Sequence, residues 1–74
     1  MKIIGNNIKR IRELKNLSQE YVANNLGISQ SAYSRRELGM VKTDADMLKD
    51  IAEILEVTVD DVIHFHEKNL FGKK

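Results

Sequence analysis

Apolar residues recur at helical spacing along most of this 74-residue chain. Ile4, Ile8 and Ile11 fall at i, i+4 and i+7, the stripe of a first helix ending near Asn16. Val22, Ala23 and Leu26 make the inward face of a second helix. Leu48, Ile51, Ala52 and Leu55 do the same for a fourth, and Val59, Val62 and Ile63 for a fifth. Between these stripes lie helix starts and stops. Ser18 and Ser29 are good N-caps for the second and third helices. Thr43 with Asp46, and Thr58 with Asp61, match the T-x-x-D form of a capping box. Gly27 and Gly39 stand where a left-handed residue closes a helix. No stretch alternates as a strand would. The pattern predicts an all-α domain of five short helices over residues 1–66. The tail, residues 67–74, has weak periodicity and ends Gly-Lys-Lys, which predicts fraying.

Composition narrows the chemistry. There is no cysteine, which removes disulfides, thiolate metal sites and cysteine nucleophiles together. No apolar run is long enough for a membrane span or a signal peptide, so a cytoplasmic location is expected. The net charge of +1 hides a division. Residues 1–42 carry eight basic side chains against three acidic, a net +5; residues 43–74 carry four against eight, a net −4. Opposite halves suggest one face for a polyanion and another surface for something else.

Ser18 to Gly39 holds two helices of about eight residues joined at Gly27, with small Ala23 at their crossing. This is the arithmetic of a helix-turn-helix. The stretch LSQEYVANNLGISQSAYSRRELG, residues 17–39, resembles the phage-repressor type of helix-turn-helix, the Cro/Xre-like family. Residues 8–15, IKRIRELK, resemble that family's first helix, and residues 48–62 its fourth and fifth. The resemblance spans roughly residues 4–66 and rests on several spaced motifs. It implies a compact five-helix DNA-binding domain with a central helix-turn-helix at about 18–39.

The resemblance also implies roles. The helix from Gln30 to Leu38 would lie in the major groove, its N-terminal part toward base edges. Gln30, Ser31 and Arg35 would then read bases: an amide for adenine, a short hydroxyl, a fork for guanine or a phosphate. Gln19, at the start of the second helix, would bind a backbone phosphate, with Asn16, Ser18, Ser34 and Lys42 as further phosphate groups. Lys9, Arg10 and Lys15 add either long-range attraction or plain solvated charge. Arg12 and Glu37 would form an ion pair tying the third helix to the first. Arg36 departs from the family, standing where an apolar or aromatic residue usually faces the core. Its head must snorkel outward, or the helix must rotate, or it adds a phosphate contact. Asp44 and Asp46 also depart, being acidic where the family often carries more basic residues, and are expected to serve as helix caps.

Other constellations carry less. His64 and His66 point to opposite sides of a helix, so no metal site is expected, and no phosphate loop or catalytic motif implies a cofactor or an enzyme. Tyr33 is expected in the core with its hydroxyl at the surface. Phe65, His66, Leu70 and Phe71 are either a homodimer patch or, for Phe65 and Leu70, the completion of a small core. The expected partner is double-stranded DNA, read as a palindromic operator by a homodimer that represses by occupancy. The alternative on the same fold is the antitoxin of a toxin–antitoxin pair, binding a protein through its acidic second half.

Overall fold

Each helix in the computed structural model, which describes residues 2–65, begins or ends at a residue with a physical reason to be there. The helices are α1 (Lys2–Leu14), α2 (Gln19–Leu26), α3 (Gln30–Glu37), α4 (Ala45–Leu55) and α5 (Val59–Ile63). No strand occurs among the described residues. Ser18 Oγ accepts from the Tyr21 N–H and Ser29 Oγ from the Ala32 N–H, capping α2 and α3. Thr58 and Asp61 form the reciprocal capping box at α5, both bonds 3.0 Å long. Gly27 ends α2 at φ 75°, and Gly39 follows α3 at φ 77°.

Three expectations are corrected. At α4 the N-cap is Asp44, not Thr43: Asp44 accepts from the Met47 N–H at 2.8 Å, while Thr43 is buried one residue earlier. The run Thr43-Asp44-Ala45-Asp46 offers two overlapping cap patterns, and burial of Thr43 selects the second. Ile63, expected inward on α5, is exposed at 38%. A helix of five residues has too little arc to bury Val59, Val62 and Ile63 together, and only Val62 is fully enclosed. The third correction is Tyr33. Its ring is in the core, but its hydroxyl turns inward, donating to the Glu37 carboxylate.

The core joins all five helices. Ile8 and Ile11 of α1, Val22 and Ala23 of α2, Tyr33 of α3, the α4 stripe Leu48, Ile51, Ala52 and Leu55, and Val62 of α5 are buried together. Phe65 is half-buried and packs against this cluster. His66, Leu70, Phe71 and the expected tail lie outside the described residues.

Two contacts of α1 carry no pattern in the sequence. A Cβ on Gly5 would stand 2.5 Å from the carbonyl oxygens of both Arg36 and Glu37. Only a residue without a side chain lets α1 lie this close to the end of α3. Asn7 Nδ2 donates to the Val62 carbonyl at 2.7 Å and to that of Ile63 at 3.3 Å. It therefore satisfies carbonyls that the end of α5 leaves without helical partners.

Candidate nucleic-acid interface

Helix α3 presents almost nothing apolar to the core beyond Tyr33, because its sequence, QSAYSRRE, is nearly all polar. It is held instead by Glu37. Arg12 Nε donates to Glu37 Oε2 at 2.7 Å and Arg12 Nη2 to Oε1 at 3.2 Å. Gln19 Nε2 donates to the same Oε1 at 3.0 Å, and the Tyr33 hydroxyl donates to Oε2. Arg12 also donates from Nη1 to the Leu17 carbonyl at 2.7 Å. One buried carboxylate thus fastens α1, α2 and α3, and one guanidinium adds the turn between α1 and α2.

The electrostatics follow from that packing. Burial alone pushes the Glu37 carboxyl up, but hydrogen bonds from Arg12, Tyr33 and Gln19, with the Arg12 charge, outweigh it and hold it below the ordinary carboxylate range. The hydrogen bond to Glu37 raises Arg12 in turn, against its own burial. Burial pushes the Tyr33 phenol well up, and its bond to Glu37 pushes further. The Arg12 charge is therefore neutralised inside the fold and is not offered to solvent.

Gln30, Ser31 and Arg35 of α3 are exposed. Arg35 Nη1 donates to Ser31 Oγ at 2.9 Å, folding the guanidinium back one turn toward the start of the helix. Gln30 Nε2 reaches Gln19 Oε1 at 3.4 Å. Gln19 is half-buried, with one N–H already engaged by Glu37. Ser18 Oγ is engaged as a cap acceptor, which leaves its proton to donate outward. Asn16 is exposed at φ 60° in the turn after α1, Ser34 is half-buried, and Lys42 is exposed in the α3–α4 connection. Arg36 is half-buried: its Nη1 donates back to the Ala32 carbonyl at 2.9 Å, and its Nε is buried without a partner. Sequence reasoning missed the Gln19–Glu37, Gln19–Gln30 and Arg35–Ser31 bonds. The i, i+4 spacing of Ser31 and Arg35 was the available signal for the last; the others join separate elements. A cleft of about 300 Å³, lined by residues including Leu14, Tyr21 and Ile54, takes no residue from α3.

Comparison with known proteins fits this geometry. The helix-turn-helix family model matches residues 8–62, which contain α2, α3 and α4 whole. The chain belongs to the helix-turn-helix family. The Cro/Xre-like resemblance read from its residues stands. Over 58 residues, 78% of this helix-turn-helix chain, it is 38% identical to an uncharacterized HTH-type transcriptional regulator of Bacillus subtilis (strain 168), YqaE. Over the same length it is 33% identical to the SPbeta prophage-derived uncharacterized HTH-type transcriptional regulator YonR of that organism. The alignments cover 50% and 54% of those proteins, so the chain spans about half the length of the curated relatives it matches. No solved structure gives a significant match. No described helix is long and apolar enough to cross a membrane.

Proposed function

We propose that this chain is the sequence-reading module of a DNA-binding transcriptional regulator. The observation that carries the reading is the pairing, on α3, of exposed polar Gln30, Ser31 and Arg35 with a buried anchor at Glu37. A groove-reading helix needs both, since base contacts specify only when the backbone carrying them is fixed. Gln30, Ser31 and Arg35 face base edges in the major groove. Asn16, Ser18, Gln19, Ser34 and Lys42 meet the sugar–phosphate backbone. The names of the two relatives, both HTH-type transcriptional regulators, support the regulatory part of the reading. The module acts by binding rather than catalysis, in the compartment that holds the chromosome.

One helix of eight residues reads only a few base pairs. The working species is therefore a homodimer on a palindromic operator, its recognition helices about 34 Å apart, and it represses by occupancy. Neither the geometry nor the relatives' names favour the antitoxin reading. Selection of bound duplexes from a random pool tests the proposal and reports half-site symmetry at once. On the selected site, Gln30→Ala should cost about 1–3 kcal/mol and relax one base preference. Lys42→Ala should weaken all duplexes alike and lower the salt slope by about 1. Equal losses on random and selected duplexes for both variants remove Gln30 as a reader. A monomer in sedimentation, free and on DNA, removes the dimer.

A further inference from the structure

We propose that Glu37, buried at the C-terminal end of α3, is the positioning residue that sets the donor and acceptor directions of the Gln30 amide. The proposal deepens the reading of α3 as the base-contacting helix and rests on it. The argument begins with the carboxylate. An ionised carboxylate only accepts hydrogen bonds. Glu37 cannot turn away from its partners, because Arg12 grips both of its oxygens and the Tyr33 hydroxyl holds Oε2. Gln19 meets Oε1 at 3.0 Å, and this fixes its amide one way round, nitrogen inward and oxygen outward. The outward Gln19 Oε1 then accepts from Gln30 Nε2 at 3.4 Å.

The series Glu37, Gln19, Gln30 has one self-consistent polarity. Turning over the Gln19 amide would set its oxygen against the carboxylate and its nitrogen against the Gln30 nitrogen. Turning over the Gln30 amide would set oxygen against oxygen. With one N–H engaged by Gln19, Gln30 has one N–H and its Oε1 left to offer. One donor beside one acceptor matches adenine, whose major-groove edge has the N7 acceptor and the N6 donor. Guanine presents two acceptors there, N7 and O6. A free glutamine amide can turn both N–H groups toward them. The held amide finds a donor for one and sets oxygen against the other. Glu37 thereby decides adenine against guanine at a distance, through Gln19.

The test uses site selection from a random duplex pool, followed by titration of duplexes carrying adenine or guanine at each selected position. The position read by Gln30 is the one whose preference disappears in Gln30→Ala. The wild type should prefer adenine there. Glu37→Gln, shown to be folded by circular dichroism and thermal melting, should lose about ten-fold of that ratio while other positions stay within about two-fold. Should Glu37→Gln fail to fold, Gln19→Leu keeps the Arg12–Glu37 pair and removes the middle amide. It should lose the same ratio at the same position. The proposal is overturned if the wild type prefers guanine at that position, if folded variants keep the full ratio, or if the loss spreads evenly over all positions. If Gln30→Ala alters no base preference, the reading of α3 itself fails, and that outcome is distinguishable from the others.

Discussion

Helices α3 and α4 bury different things. Helix α4 puts Leu48, Ile51, Ala52 and Leu55 into the core, an unbroken apolar stripe. Helix α3 buries one tyrosine and one glutamate. Apolar packing is nondirectional and tolerates small shifts, because it scales with the area removed from water. A buried carboxylate with four donated hydrogen bonds tolerates few, since each bond has a narrow range of distance and angle. One helix therefore supplies stability and the other supplies placement. The helix proposed to meet base edges is the one fixed by directional bonds, with its C-terminal end pressed against Gly5.

Four measurements break or sharpen this contrast. The largest loss is expected from Glu37→Ala, which leaves Arg12 buried and uncompensated. About 3–5 kcal/mol should disappear in urea denaturation, and the folded remainder should bind DNA with reduced base discrimination. Ile51→Ala should cost about 2–5 kcal/mol by cavity formation. Its folded fraction should discriminate as the wild type does. If both variants lose discrimination equally, α3 and α4 are not doing different work. Gly5→Ala comes next. The added methyl collides with two backbone carbonyls, and overpacking of this kind costs about 1–3 kcal/mol, offset in part by up to about 1 kcal/mol of helix propensity. Circular dichroism melts should show the net loss, and the site preference should shift because α3 is displaced.

The mildest perturbation is a proton. The Glu37 carboxyl sits below its ordinary 4.5 in the folded chain, so the unfolded chain binds more protons in acid. Stability from this site is fully present above the unfolded value and is lost as pH falls through the lower folded one. Urea midpoints taken from neutral pH downward should decline once pH passes below about 4.5, and Glu37→Gln should flatten that decline.

What the sequence made legible follows the same division. The α1 and α4 stripes and the Ser18, Ser29 and Thr58 caps could be read because they depend on neighbours within one turn. So could the left-handed Gly27. The position of the α4 cap could not, because Thr43 and Asp44 are both competent and tertiary burial chose between them. Glu56 ends α4 at φ 60° with no glycine to announce it. Gly5 looks like a poor helix residue until α3 lies against it. At the interface, exposed Gln30, Ser31 and Arg35 stood in a recognisable motif. The bonds that join Arg12 and Gln19 to Glu37, and Gln30 to Gln19, run between α1, α2 and α3, and no spacing rule within one helix encodes such bonds.

The Asn7 contact has a consequence for how the chain is made. Its partner carbonyls lie 55 and 56 residues downstream. During synthesis, at roughly 5–20 residues per second, α2 and α3 emerge seconds before α5 does. Helix α1, which carries both Arg12 and Gly5, stays without its last clamp through that interval. A nascent chain can thus complete its helix-turn-helix before the helix that aligns it is secured. On the proposed reading, competence to read a base sequence arrives only once α5 is in place.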